Sequence, residues 1–252
     1  MRETDTEGSP PFFRLKAAAV HLYTATGVIL ALLMVIAAFQ GEAVRALWIT
    51  LAALVIDSTD GLLARRFRVS EALPRFDGVL LDNIVDYLTY VLAPMLLLWS
   101  EGYLSGGVAG LALAALPLLA SSYQFCRVDA KTEDHFFLGF PSYFNIVAFY
   151  AIVCHLSVGA TAAVIVICSV LVFVPIRYIY PTRTVAFRKL SLGLTALWLG
   201  GCAVLLLQMP NPSPTVVGFS LCYFVYYFGM SFYLSAKIFI ASRRMVEETE
   251  AP

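Results

Sequence analysis

Long apolar runs, interrupted by charged residues, glycine and proline, dominate the pattern of this chain. About 20 residues of helix cross the hydrocarbon layer of a membrane, and eight of the runs are close to that length. The pattern therefore predicts an all-α integral membrane protein with about eight transmembrane helices. The predicted helices cover residues 17–39, 46–66, 78–99, 103–126, 141–157, 160–180, 189–209 and 213–241.

Two of these boundaries depend on helix breakers within apolar sequence. The uncharged stretch from Tyr143 to Ile176 is too long for one crossing, so we place a turn near Gly159. Three prolines within residues 210–214 divide the last apolar stretch in the same way. The segment 127–141 mixes charged residues with phenylalanines, and we expect it to form a short amphipathic helix in the membrane interface.

The distribution of basic residues predicts how the chain is oriented. Of the 17 lysine and arginine residues, only Arg45 falls in a loop on the opposite side from the others, and translocated loops avoid these residues. Both termini are therefore expected in the cytoplasm. The domain organisation that follows is a cytoplasmic tail over residues 1–16, a single transmembrane catalytic domain over 17–241 and a second cytoplasmic tail over 242–252. The first run lacks a small-residue cleavage site, so we expect it to remain in the mature protein.

Composition supports the membrane interpretation and excludes several classes of function. The chain is 60% hydrophobic and 13% charged, too little polar surface for a water-soluble domain. Its 17 basic and 17 acidic residues balance, which gives no reason to expect a nucleic-acid partner. The five cysteines contain no CxxC pair, so neither a zinc site nor a disulfide framework is indicated.

Four aspartates inside the second and third apolar runs are the clearest chemical signal. Asp57 and Asp60 have i, i+3 spacing, and Asp82 and Asp86 have i, i+4 spacing, so each pair shares a helix face. Two antiparallel neighbouring helices would bring the four carboxylates together, where divalent cations would relieve their repulsion. Hard oxygen ligands suit two Mg²⁺ or Mn²⁺ ions that clamp a diphosphate. A proton relay or a metal or proton transporter is the alternative, although the last five runs contain no Asp or Glu that would form a second gate.

The residues around the aspartates complete a longer motif. Gly61 follows Asp60, Ala64 and Arg65 lie one turn further on, and Gly78 precedes Asp82 by one turn. The string Asp57-x2-Asp60-Gly61-x2-Ala64-Arg65-x12-Gly78-x3-Asp82-x3-Asp86 resembles the signature of the CDP-alcohol phosphatidyltransferase family. The gap of twelve residues after Arg65 is wider than in the usual signature. In this respect, and in stretches 81–91 and 134–145, the chain resembles a bacterial branch whose acceptor is choline.

The resemblance implies a function and a set of roles. The expected reaction moves the phosphatidyl group of CDP-diacylglycerol to choline and releases CMP, at a site facing the cytoplasm in a bacterial inner membrane. By resemblance, Asp57, Asp60 and Asp82 hold two divalent ions, and Asp86 both contacts metal and accepts the hydroxyl proton. The implied lining of the CDP-diacylglycerol pocket is Gly61, Ala64, Arg65 and Gly78, to which we add Thr24 and Thr26.

Some assignments stay open at this point. Hydroxyl groups in apolar helices often bond to their own backbone, which is the alternative for Thr24 and Thr26. Aromatic faces suit the choline ammonium, and the candidates are Tyr90, Tyr87, Tyr123 and Tyr143, for which packing is the alternative. Serine, glycerol phosphate or inositol phosphate could replace choline as acceptor. Intramembrane prenyltransferases also use aspartates and diphosphates, but without this frame of glycines. The sequence leaves a homodimer open.

Overall fold

The computed structural model describes residues 10–132 and 134–250, and this part of the chain is almost entirely helical. Most of the predicted tail over residues 1–16, and the last two residues, lie outside the described residues. The helices are α1 (Pro11–Phe39), α2 (Ala43–Arg66), α3 (Val69–Ala72), α4 (Gly78–Asp86), α5 (Ala93–Ser100), α6 (Gly107–Cys126), α7 (Phe144–Val153), α8 (Val158–Leu171), α9 (Arg188–Leu207) and α10 (Pro214–Glu250). A π-helical segment, Tyr87–Leu92, joins α4 to α5, and the strands are β1 (Phe136–Leu138) and β2 (Arg177–Ile179).

Within the described residues, six helical stretches are long and apolar enough to cross a membrane. They match the predicted runs one to four, seven and eight, with α4, the π-helical segment and α5 forming one continuous helical stretch. The six stretches are Pro11–Phe39, Ala43–Arg66, Gly78–Ser100, Gly107–Cys126, Arg188–Leu207 and Pro214–Ile238. The prediction of an all-α membrane protein agrees with this architecture, while the count of eight crossings stays a prediction.

The two remaining runs form helices that are shorter than predicted. Helix α7 has 10 residues and α8 has 14, where the sequence suggested 141–157 and 160–180. The turn between them lies close to the predicted Gly159, because Ser157 caps α8 by accepting a hydrogen bond from the Ala160 N–H. The residues just before α7 and just after α8, which the sequence predicted as helix, have non-helical backbone.

Strands β1 and β2 occupy part of that non-helical backbone. They pair antiparallel, with Phe137 opposite Tyr178, and the Gly139 N–H continues the pairing by donating to the Ile176 carbonyl at 2.9 Å. The expected amphipathic helix over 127–141 is therefore wrong: among the described residues of this segment the backbone forms turns and β1. Pairing with β2 satisfies backbone groups that a helix would otherwise satisfy internally.

Helix boundaries follow local sequence signals. Asp77 caps α4, since its carboxylate accepts hydrogen bonds from the Val79 and Leu80 N–H groups. Gly41 adopts a φ of 72° in the turn between α1 and α2, a conformation that favours glycine. Helix α1 begins at Pro11. Proline is well tolerated at the start of a helix, because a backbone N–H there has no acceptor within the helix.

The packing of the helices places α2 and α4 where the aspartates can meet. Helix α1 packs against α2, α4 and α5, α2 also contacts α9, and α9 packs against α10. Large apolar side chains are exposed along the outer faces of several spans, among them Leu32, Leu119, Leu207 and Val225. A lipid environment explains that exposure, because in water it would be unfavourable.

A candidate carboxylate metal site beside an aromatic cavity

Three carboxylates from two helices converge at one place in the described part of the chain. Asp57 on α2 and Asp82 and Asp86 on α4 each offer one oxygen, and these atoms all lie within 4.8 Å of one another. Asp86 is buried, with 8% of its surface exposed. The antiparallel contact that the sequence spacing predicted for these faces is therefore present for three of the four aspartates.

Asp60 lies beside this group without belonging to it. The residue is one helical turn after Asp57 and is itself buried, with 6% of its surface exposed. Its carboxylate lies near the Thr24 hydroxyl of α1. The sequence placed all four carboxylates in one set, whereas the structure forms a group of three with Asp60 at its edge.

The chemistry of this group fits divalent cations. Carboxylate oxygens are the ligands that Mg²⁺ and Mn²⁺ prefer, and a separation within 4.8 Å allows one ion to contact several of them. Three carboxylates this close, partly removed from water, repel each other unless a cation or protons intervene. Asp57, Asp82 and Asp86 are thus suited to hold divalent metal.

Tyr90 contacts this group through its hydroxyl. The tyrosine O–H donates to Asp57 Oδ2 at 2.6 Å, and the ring is buried against the Tyr143 ring with centroids 5.8 Å apart. Tyr90 belongs to the π-helical segment, and such segments often occur at functional sites because they change the direction of side chains within a helix. The sequence proposed Tyr90 as a choline contact, which stays a prediction, and the structure adds a hydroxyl that orients a carboxylate.

The residues proposed for the nucleotide pocket lie on α1, on the second half of α2 and at the start of α4. A Cβ at Gly78 would meet His21 Cε1 at 2.6 Å, so glycine at this position makes room for the His21 imidazole. His21 Nε2 is buried without a hydrogen-bond partner, and its ring lies 4.3 Å from that of Phe76. A Cβ at Gly61 would lie 3.3 Å from Arg65 Nη1. His21 therefore lies directly beside the motif, a neighbour that the sequence analysis did not identify.

Thr24, Thr26 and Ala64 make contacts within the helix bundle. The Thr24 hydroxyl donates to the Val20 carbonyl at 3.4 Å, and the Thr26 hydroxyl donates to the Tyr23 carbonyl at 2.6 Å. This is the backbone bonding that the sequence analysis gave as the alternative. Ala64 packs against a small cluster that contains Ala17 and Val69. Their contact with nucleotide stays a prediction.

Lys131 is a neighbour of the carboxylates that sequence reasoning missed. Its ammonium donates to Asp82 Oδ2 at 3.4 Å, with 35% of the lysine side chain exposed. Burial alone would lower the pKa of Lys131, but the negative charges around it, of which Asp82 contributes most, raise that pKa above its usual value. The only sequence signal was a lysine just after an apolar run, which we took as a marker of topology.

A cavity of about 310 Å³ opens directly beside Asp57. Helices α2, α7, α8, α9 and α10 and the loop at 180–182 enclose it. Its wall is rich in aromatic side chains, which are Tyr90, Phe140, Tyr143, Tyr150, Tyr180, Trp198, Tyr223, Phe224, Tyr227 and Phe228. Such a wall suits a quaternary ammonium group, which has no hydrogen bond to offer and is attracted to aromatic faces.

Two of the four tyrosines proposed for choline line this cavity and two do not. Tyr90 and Tyr143 belong to its wall. The Tyr87 hydroxyl donates to the Leu118 carbonyl at 3.1 Å, and the Tyr123 ring packs on Phe173 with centroids 5.0 Å apart. All five cysteines lie in the described part of the chain and are free thiols.

Comparison with known proteins gives a consistent result. The family model of CDP-alcohol phosphatidyltransferases matches residues 19–176, which include the carboxylate group. A protein of Legionella bozemanae named phosphatidylcholine synthase is 38% identical over 202 residues, covering 77% of this chain and 93% of its own length. A Pseudomonas aeruginosa protein of the same name is 35% identical over 228 residues, covering 90% of this chain and 95% of its own length. A third, from Mesorhizobium japonicum, is 39% identical over 193 residues, covering 77% and 72% of the two chains.

Proposed function

The chain belongs to the CDP-alcohol phosphatidyltransferase family, and from that premise we propose that it transfers the phosphatidyl group of CDP-diacylglycerol to choline. The products are phosphatidylcholine and CMP. The name shared by the relatives supports choline as the acceptor. The observation that carries the proposal is the contact between a three-carboxylate group and an aromatic cavity at Asp57.

Asp57, Asp82 and Asp86 would hold the divalent metal, with Asp60 completing the set. Bound ions of this kind supply charge neutralisation of a diphosphate and stabilise the leaving CMP. The Tyr90 hydroxyl fixes the orientation of Asp57, so the carboxylate is positioned before any ligand arrives. The identity of the metal, Mg²⁺ or Mn²⁺, belongs to the proposal.

Asp86 would act as the general base. The choline oxygen attacks the phosphorus that carries diacylglycerol, the bond from that phosphorus to the bridging oxygen breaks, and CMP leaves with that oxygen. The hydroxyl proton passes to an Asp86 oxygen. Asp86 suits this role because it is the last residue of α4 and lies beside Asp57, which lines the cavity.

Arg65 would pair with a phosphate of the nucleotide lipid at the membrane surface, with Gly61, Ala64 and Gly78 forming the adjacent wall. Choline would enter the aromatic cavity with its ammonium against Tyr143 and Tyr90 and its hydroxyl toward Asp86. Tyr87 and Tyr123, which make their contacts elsewhere, are less suited to this role.

The same proposal includes the orientation of the chain. Residues 17–241 would form one catalytic domain that crosses a bacterial inner membrane eight times, with both termini and the carboxylate group on the cytoplasmic side. The basic residues that flank the apolar runs support this orientation. Helices α7 and α8 would make the fifth and sixth crossings with the help of non-helical backbone, which is tolerated at membrane depth when it is buried in protein.

The test incubates purified protein with CDP-diacylglycerol, Mn²⁺ or Mg²⁺, and a panel of labelled alcohols. We expect choline incorporation with matching CMP release, reduced at least about a hundredfold by Asp86→Asn. Glu42→Gln, which alters an exposed carboxylate in the loop after α1, is the control and should retain full activity. Incorporation of serine or glycerol phosphate alone would overturn choline as the acceptor, and absence of CMP with every acceptor would overturn the activity itself.

A further inference from the structure

The backbone of Lys131 is held in place by pairing with β1, in the loop that follows α6. Its backbone forms a bridge with Phe137 of β1, and the Leu138 N–H donates to the Ala130 carbonyl at 3.0 Å on the same side. Thr132 closes this turn, because the Phe136 N–H donates to its hydroxyl at 3.0 Å. The backbone position of Lys131 is thus set by its pairing with β1.

From that position the lysine side chain reaches the carboxylate group. Its ammonium donates to Asp82 Oδ2 at 3.4 Å, although 49 residues separate the two in sequence. Only 35% of the lysine side chain and 27% of the aspartate side chain are exposed. The contact therefore differs from a flexible surface ion pair, which usually contributes little.

Lys131 brings one positive charge to a group of three carboxylates. Divalent ions bound by the aspartates would neutralise the charge that attracts Lys131, and the ammonium would then need another anion. The anion that enters with substrate is the diphosphate of the nucleotide lipid. Lysine suits such an exchange, because it carries a compact charge on a flexible stem and binds phosphate well.

We propose that Lys131 is a substrate-binding residue that contacts Asp82 when the site is empty and the diphosphate of CDP-diacylglycerol when the site is loaded. This inference rests on the proposed function and adds a phosphate contact outside the aspartate motif. Choline offers no anion, so the acceptor does not compete for the lysine. The strap formed by residues 130–132 and β1 therefore contributes directly to donor recognition.

The first measurement needs no catalysis. Full-length protein without nucleotide is titrated with Mn²⁺, and free Mn²⁺ is followed by electron paramagnetic resonance. Lys131→Met and Lys131→Gln should bind Mn²⁺ several-fold to about tenfold more tightly than the unmodified protein, because a competing positive charge has gone. Lys131→Arg keeps the charge and should bind as the unmodified protein does. Lys237→Met, which removes an exposed lysine in the second half of α10, is the matched control.

The second measurement separates binding from chemistry. At saturating Mn²⁺, Lys131→Met and Lys131→Gln should raise KM for CDP-diacylglycerol about tenfold, with kcat within about twofold, and Lys131→Arg should restore much of the loss. Unchanged Mn²⁺ affinity, or an unchanged KM for CDP-diacylglycerol, would overturn the inference. If the unmodified protein released no CMP, the proposed function would fail while the Mn²⁺ titration would still decide whether Lys131 competes for the carboxylates.

Discussion

Asp57 and Tyr90 illustrate how single residues build this site. They lie 33 positions apart, and each comes from an apolar run in which a polar group needs a partner. Their hydrogen bond satisfies both, since the tyrosine hydroxyl would otherwise be buried without an acceptor. The sequence identified both residues as functional candidates, but the role of Tyr90 depends on a contact that only the folded chain creates.

Replacing Tyr90 with phenylalanine tests that role. Tyr90→Phe keeps the ring in the cavity wall and removes the hydroxyl that orients Asp57. We expect the affinity for Mn²⁺, measured by titration of the purified protein, to fall roughly 10- to 100-fold, as is usual when a group that orients a metal ligand is lost. The KM for choline at saturating Mn²⁺ should change little, because the aromatic face remains.

Tyr233→Phe provides the control for this experiment. Tyr233 is exposed on α10 and has no part in the site, so its hydroxyl should be dispensable. If Tyr90→Phe bound Mn²⁺ as the unmodified protein does while its KM for choline rose, the Tyr90 hydroxyl would serve the acceptor and not the orientation of Asp57.

At the scale of the elements, the contact between two non-helical segments, one before α7 and one after α8, holds the site together. Gly139 adopts a φ of 85°, and its missing Cβ allows the Val172 carbonyl to approach the backbone. The Phe140 N–H next to it donates to the Leu171 carbonyl at 3.0 Å. These contacts join the start of α7 to the end of α8 and fix the strap that carries Lys131.

Gly139→Ala is expected to weaken the contact between these two segments. A Cβ at this position would meet the Val172 carbonyl oxygen at 2.2 Å, and the positive φ adds strain for any residue with a side chain. The melting temperature of the purified protein should fall by roughly 5–10 °C. Gly200→Ala in α9, where a Cβ meets open space, should leave it unchanged or slightly higher. Equal melting temperatures for the two variants would contradict the prediction that this contact stabilises the protein.

At the scale of the whole molecule, a contact between two turns supports the predicted eight membrane crossings. Six helical stretches of the described residues have the required length, and α7 and α8 are shorter. The turn between α7 and α8 lies beside the turn between α9 and α10. This is shown by the distance of 3.0 Å between His155 Nε2 and the Pro210 carbonyl oxygen. Both turns should therefore be on the same side of the membrane, as eight crossings require.

Fusions to alkaline phosphatase, which is active only outside the cytoplasm, test this arrangement. Fusions after Leu156 and after Gln208 should be active, and fusions after Thr182 and after Pro252 should be inactive. Green fluorescent protein at the same positions should give the opposite pattern. An inactive fusion after Leu156 together with an active one after Gln208 would mean that α7 and α8 do not cross the membrane.

The sequence by itself determined the membrane character, the helical runs and the aspartates that carry the chemistry. It could do so because hydrophobic length and i, i+4 spacing are local properties of a helix. Asp57, Asp82 and Asp86 could be paired across two helices because a short connection makes α2 and α4 neighbours. The resemblance to a known family rested on the same short stretch of residues.

Only the tertiary structure decided which distant groups complete the site. Lys131 reaches Asp82 from a loop, His21 occupies the space beside Gly78, and the aromatic cavity collects residues from five helices. The lengths of α7 and α8 also depended on the fold, since β1 and β2 pair between segments about 40 residues apart. Such contacts depend on how the helices pack and on which distant backbone groups form hydrogen bonds. Neither can be inferred from a periodic pattern along the sequence.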